Sequence, residues 1–348
     1  MNEAKLHEFM GKLITDLSGA AMVASIVVGE ELGLYKAMAD GGPVTADDLA
    51  QRTGCHPRLV REWLNAQAAA GYVGYADGCY QLPPEQAMAL AAEDSPVYVA
   101  GGAAVLASLF LDKDKQVAAM RGNGAIPWGD HHACMFSGVE KFFRPGYKAH
   151  LVSEWLPALD GVVEKLRAGA KVADVGCGHG ASTVIMAQAF PKSRFHGFDF
   201  HRPSVDTARQ RVSEAGAADR IVISESTAQT YTERDFDLIC FFDCLHDMGD
   251  PVGAARRAYD ALKSDGTILL VEPFAGDKLA ENFTPIGRMF YAASTFLCTP
   301  NSLSQDVGLG LGAQAGEARL REVFEQAGFT RFRRATETPF NLILEAKK

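Results

Sequence analysis

The chain has 348 residues, is 47% hydrophobic and 22% charged, and carries a formal net charge of −9. That length accommodates two domains with ordinary apolar cores, and the acidic balance argues against nucleic acid or an anionic membrane as the main partner. Seven cysteines without a CxxC pair point to a reducing, cytoplasmic setting rather than a disulfide framework.

The first eight residues lack a basic stretch followed by an apolar core, so no secretory leader is expected. Residues 3–38 have helical periodicity, with Leu6, Phe9, Met10, Leu13 and Leu17 on one face. Ala20 to Val28 is apolar nearly all round, which predicts a helix that is buried or lies at a subunit interface. Thr45, with Asp48 three residues on, fits a capping box at the start of a short helix. Pro57 suits the first position of the next helix, whose stripe is Val60, Trp63, Leu64 and Ala68. Two short strands then flank Asp77-Gly78, a hairpin signal. Helix, turn, helix and two-stranded wing together make a winged-helix layout.

Residues 84–121 read as helix, and the apolar run Val97 to Leu111 is too short for the roughly 18 residues of a membrane span. It is expected to be a buried helix. Residues 121–147 are rich in glycine and aromatics, with Trp128, His131, His132, Phe136, Phe142, Phe143, Arg144 and Tyr147. Irregular segments of this kind often serve as lids, so Trp128, His131, His132, Phe143, Arg144 and Tyr147 are candidate substrate residues; equally, they could pack a seam between domains. His131, His132 and Cys134 fit no standard ligand spacing, so no metal is expected. Helix resumes over about 147–166.

From Lys171 strands and helices alternate. Strands are expected near 171–175, 194–199, 220–224, 236–242, 266–272, 329–335 and 340–347, with helices near 180–190, 203–215, 250–263 and 316–327. Such alternation predicts a parallel α/β sheet covered on both faces. The last two strands are joined by a turn too short for a crossover helix, so they should be antiparallel.

The first of these strands leads into Asp174-Val-Gly176-Cys-Gly178-His-Gly180. Strand, glycine turn and helix form a nucleotide-binding unit, but the spacing is not the G-x-G-x-x-G of a dinucleotide fold. An acid two residues before the first glycine would repel a pyrophosphate. It would suit a cationic, phosphate-free ligand such as S-adenosylmethionine. Asp199, at the end of the second strand, is placed to accept bonds from ribose hydroxyls. His246, just past the fourth strand with Asp247 beside it, could take a proton from a substrate hydroxyl, or could simply cap the helix that begins at Pro251.

The segment VADVGCGHG, Asp199, the FDLI strand and the terminal hairpin resemble class I S-adenosylmethionine-dependent methyltransferases. With the winged-helix front end and Leu245-His246-Asp247, nearly the whole chain is similar to small-molecule O-methyltransferases. The resemblance implies a Rossmann-like seven-stranded sheet with its last strand antiparallel, behind a mainly helical winged-helix domain. It implies a dimerisation domain over 1–98, a helical linker and lid over 99–165, and a cofactor-binding domain over 166–348. The cofactor would be S-adenosyl-L-methionine, held by Asp174, Gly176, Gly178 and Gly180, by Asp199 at the ribose and by Asp243 near the methionine end. Thr227, with Ala228 beside it, stands where the family has an acid at the adenine. Phe200 and Phe242 could flank the ring or belong to the core. His246 would be the general base, with Asp247 as its partner. The family's usual tryptophan after this pair is Met248 here. Arg288 and Tyr291, in an aromatic stretch at the sheet's carboxyl edge, could contact the acceptor or lie on a helix surface.

The implied partners are a small, aromatic or moderately apolar methyl acceptor and a second copy of the chain, with no membrane. Two rivals stand beside O-methylation: N- or C-methylation, and a DNA-binding regulator that senses the cofactor. Residues 1–98 contain six Lys/Arg against thirteen Asp/Glu, and phosphate binding needs a basic face.

Overall fold

The computed structural model describes residues 1–39 and 42–348. The chain divides into two compact units: Met1–Phe110 with Ala133–Gly146, and Leu111–His132 with Tyr147–Lys348.

In the first unit, helices Ala46–Thr53 and Pro57–Ala69 are followed by strands β1 (Gly74–Ala76) and β2 (Cys79–Gln81), paired antiparallel. Thr45 and Asp48 form the capping box, which satisfies amides at the helix start that have no partner within the helix. Tyr35, Leu49, Val60, Trp63 and Leu64 are buried together. The long helix Glu3–Glu31 is different. Only Gly29 is buried, and Leu6, Phe9, Met10, Leu13, Ile14 and Leu17 are exposed. The burial expected of this helix is therefore not met within one chain. By length and composition the helix could span a membrane, a test that the core helix of a soluble protein and a signal sequence also pass.

The expected buried helix at 97–111 is shorter, Ala103–Leu111, and Phe110 and Leu111 are exposed. The segment expected to be irregular over 121–147 contains an α-helix, Ala133–Gly146. Its glycines and Pro145 mask the periodicity of its buried stripe, Met135, Gly138 and Pro145.

The second unit is built on a sheet of seven strands: β3 (Lys171–Val175), β4 (Arg194–Asp199), β5 (Ile221–Glu225), β6 (Phe236–Phe242), β7 (Leu262–Pro273), β8 (Arg331–Glu337) and β9 (Asn341–Lys347). Their order is β5-β4-β3-β6-β7-β9-β8. The pairs β3–β4, β3–β6, β4–β5 and β6–β7 are parallel, and β9 is antiparallel to both neighbours. Order reverses between β3 and β6, and a crevice opens outside the carboxyl ends of strands at such a point. Phe198, Phe236, Phe241, Leu270, Phe324 and Leu344 are buried in the core that holds these strands.

Candidate active site at the carboxyl edge of the sheet

β3 ends in the glycine turn. Gly176, Gly178 and Gly180 have φ of 76°, 51° and 74°, left-handed values that side-chain-bearing residues rarely adopt. Gly176 is also sterically required, because a Cβ there would sit 2.7 Å from Cys244 Sγ. Asp174 is buried, and its Oδ2 accepts from Ser182 Oγ (2.7 Å) and Thr183 Oγ1 (2.5 Å) in the first turn of helix Ala181–Ala189. Its Oδ1 is buried with no hydrogen-bond partner. Burial raises this carboxyl to about 6.

Asp199, at the end of β4, accepts from the backbone amides of Gly178 (2.9 Å) and His201 (2.8 Å). It ties the glycine turn of β3 to the exit of β4. Burial pushes its pKa up, against the pull of these amides. The amide of Ser226, past β5, donates to Asp199 O. Thr227 is exposed and shares a hydrogen bond with Thr230 (2.8 Å). Ala228 packs against the core, and Phe200 is 48% exposed while Phe242 is buried.

β6 delivers the other half. Asp243 follows it in a left-handed conformation, φ 50°, and two side chains hold it there. Tyr147 Oη donates to its Oδ2 (3.0 Å) and Asn341 Nδ2 to its Oδ1 (2.8 Å). Burial, followed by the Glu272 charge, raises the Asp243 carboxyl well above its usual range. Burial, followed by the Asp243 charge, does the same to the Tyr147 hydroxyl.

His246 is buried at 4% exposure. Its Nδ1 is hydrogen bonded to Glu272 Oε2; a carboxylate can only accept, so the imidazole donates. Glu272 Oε1 accepts from the Leu245 amide (2.9 Å). His246 Nε2 lies 3.1 Å from Asp247 Oδ1, yet that oxygen has no hydrogen-bond partner: the charges are close but out of line for a hydrogen bond. Burial lowers the His246 pKa, but Asp247 and Glu272 outweigh it and raise the imidazole well above its ordinary value. Cys298 completes the cluster, its Sγ lying within 4.8 Å of ligand atoms of His246 and Asp247. Burial raises this thiol to about 11.

Of the candidate substrate residues, His131 is buried at 5% exposure with Nδ1 3.3 Å from Asp112 Oδ2, and Trp128 stands edge-on to it at 6.1 Å. Exposed His132 donates its backbone amide to Asp112 (2.8 Å). Arg288 is exposed and Tyr291 partly buried, both on helix Pro285–Phe296. Phe143 and Arg144 belong to the other compact unit, where Arg144 lies 3.4 Å from Glu140. Sequence reasoning missed Glu272, Asn341, Asp112 and Cys298. Glu272 left a readable signal, an acid ending the apolar run Ile268 to Val271.

Residues 166–328 match the methyltransferase domain family, and residues 19–92 the Rv2258c-like winged helix-turn-helix domain. The carboxyl-terminal part of the chain is thus similar to methyltransferase domains. The chain is 31% identical over 107 residues to 27-O-demethylrifamycin SV methyltransferase of Amycolatopsis mediterranei, covering 30% of this chain and 39% of the relative. The chain thus spans well under half of this first relative. Mitomycin biosynthesis 6-O-methyltransferase of Streptomyces lavendulae is 25% identical over 295 residues, 76% of this chain and 77% of the relative. Human N-acetylserotonin methyltransferase, solved with S-adenosylmethionine, superposes with a TM-score of 0.70 at 18% identity, over 97% of both chains; at that identity the likeness shows the fold. The residues at the glycine turn fit a cationic, phosphate-free cofactor. Three left-handed glycines leave the turn without side chains, and the orphaned Asp174 oxygen is a buried acceptor suited to a cation.

Proposed function

We propose that the protein methylates a hydroxyl of a small aromatic or moderately apolar acceptor, with His246 as general base. S-adenosylmethionine, when bound, supplies a methyl group already electrophilic on its sulfonium. Gly176, Gly178 and Gly180 would lie along it, Asp199 would take the ribose hydroxyls, and Asp174 and Asp243 would serve the methionine end. Phe200, Thr227 and Ala228 would border the adenine. Glu272 fixes the imidazole and leaves Nε2 to receive the acceptor's proton. Two anions raise the basicity of His246, which narrows the gap to a phenol near 10. The same shift keeps more of the imidazole protonated at neutral pH, so turnover should climb on the alkaline side.

The observation that carries this reading is the buried His246–Glu272 pair at the β6 tip, beside the glycine turn. The Streptomyces lavendulae relative, a mitomycin biosynthesis 6-O-methyltransferase, favours oxygen as the acceptor atom over nitrogen or carbon. The test is mass-spectrometric detection of methyl ethers from a phenol panel. His246→Ala should abolish them and leave calorimetric cofactor binding intact; unchanged turnover would remove the base.

The winged helix serves, in this reading, as a dimerisation domain in a cytoplasmic homodimer, with the exposed apolar helix Glu3–Glu31 covered by the second copy. The regulator reading is not favoured. In helix Pro57–Ala69 the cations are already paired, Arg58 with Glu62 (2.5 Å) and Arg61 with Asp47 (3.1 Å). A salt-sensitive gel shift would revive it.

A further inference from the structure

Cys298 has no part in the mechanism above, yet it stands at the proposed base. One ligand atom from each of His246, Asp247 and Cys298 lies within 4.8 Å of the other two. On His246 that atom is Nε2, because Nδ1 donates to Glu272 and Nε2 lies 3.1 Å from Asp247 Oδ1. The Glu272 bond fixes the tautomer and leaves Nε2 with a free lone pair. Asp247 Oδ1 is buried with no hydrogen-bond partner among the described residues. Cys298 is buried, and both His246 and Asp247 act on its thiol.

The three side chains are held at this spacing by the backbone around them. Cys298 opens helix Cys298–Leu303, which is tied to the turn Leu245–Asp247. Asn301 Nδ2 donates to Asp247 O (3.0 Å) and Ser302 Oγ to Met248 O (2.8 Å). Gln305 closes the same junction, its Nε2 donating to Asp247 O (3.3 Å) and its Oε1 accepting from the Gly249 amide (3.0 Å). The Asp247 side chain is 17% exposed against 5% for His246, so the cluster opens to solvent on the aspartate side. One nitrogen, one oxygen and one sulfur donor suit divalent zinc. Bonds of about 2.0–2.3 Å to a tetrahedral ion put neighbouring ligand atoms about 3.3–3.8 Å apart, close to the Nε2–Oδ1 separation already present. Glu272 supplies the outer carboxylate that orients a metal-bound imidazole through its other nitrogen. Asp247 and Glu272 together flank His246 with negative charge, which a dication would offset.

We propose that His246, Asp247 and Cys298 form a three-ligand zinc site, and that the bound ion stops turnover by occupying the nitrogen that would take the acceptor's proton. On binding, Nε2 and the Asp247 carboxylate each give a lone pair to the ion. Cys298 binds as the thiolate, and its proton passes to solvent. The site stands on its own geometry; only the loss of turnover rests on His246 being the base.

The probes are Co²⁺, a spectroscopic substitute, and Zn²⁺, each added to the full chain after a chelator has removed metal. Co²⁺ should give an intense near-ultraviolet thiolate band, and Zn²⁺ should displace it. Cys298→Ser should remove the band. Glu272→Gln leaves all three ligands in place and should weaken Zn²⁺ about 10- to 100-fold, read by competition with a chelating dye; this guards against a folding defect in the serine variant. No band in the unaltered chain, a band that survives in Cys298→Ser, or Zn²⁺ affinity unmoved in Glu272→Gln would overturn the site. Zn²⁺ should also suppress methylation of an accepted phenol in step with its occupancy. Full occupancy with undiminished turnover would overturn the block and count against His246 as the base, while the spectra judge the site separately.

Discussion

The two halves of the candidate site are held in opposite ways. On the cofactor side, Asp174 is anchored by Ser182 and Thr183, eight and nine residues on, and Asp199 by the amides of His201 and Gly178, two and 21 residues away. At the β6 tip, His246 leans on Glu272, 26 residues away, and Asp243 on Tyr147 and Asn341, 96 and 98 residues away. The first half is a property of one strand–turn–helix unit and its neighbour. The second exists only once distant strands have docked. Local geometry builds the glycine-turn half, the proposed cofactor cradle; long-range convergence builds the β6-tip half, which carries the proposed base.

That contrast can be broken by experiment. The largest effect is expected from His246→Ala: turnover of an accepted phenol should fall about 10²- to 10⁴-fold, the usual worth of a general base, with cofactor affinity unchanged by calorimetry. Loss of cofactor binding as well would mean that the halves are not separable. Glu272→Gln should cost roughly 10²-fold in kcat. Removing that charge also lowers the imidazole pKa, so the acid limb of the pH–rate profile should move to lower pH; an unmoved limb would detach Glu272 from the base. Asp199→Ala should weaken the cofactor by about tenfold to a hundredfold, since two amides lose their acceptor, and equilibrium dialysis would read it. The smallest and most graded effect comes from Asp174, whose burial places its carboxyl at about 6. Below that pH it is protonated and must ionise to favour a cation, so cofactor affinity should rise with pH through about 6 and level off above. Asp174→Asn should flatten the curve.

The same contrast explains what was legible in the sequence. The glycine turn, Asp174 and Asp199 lie within one local pattern, and the structure places them together at adjacent strand ends. The seven strands and the antiparallel β9 follow from alternation and a short turn. Glu272 shows in the sequence only as an acid ending an apolar run, and Asp112 not at all, because nothing near either one says which imidazole it will meet. The helix Ala133–Gly146 was hidden for another reason: its glycines and proline carry loop statistics, and packing overrode them. The exposed face of Glu3–Glu31 shows the limit of apolar patterning. Patterning says that a surface wants cover, and not whose.

The wedge between Gly176 and Cys244 has one further consequence. The backbone of the glycine turn and the stretch that carries His246 are spaced by a single sulfur atom, with no slack for even a methyl group. Adjusting one therefore displaces the other, and the two cannot drift apart independently through small steps. The 111–132 segment has separate moorings, the Gln116 side chain on Thr295 O and the Ile126 amide on Pro300 O. In the proposed reading, a change of acceptor is expected to be easier in that segment than at the turn, where every added atom is felt on both sides.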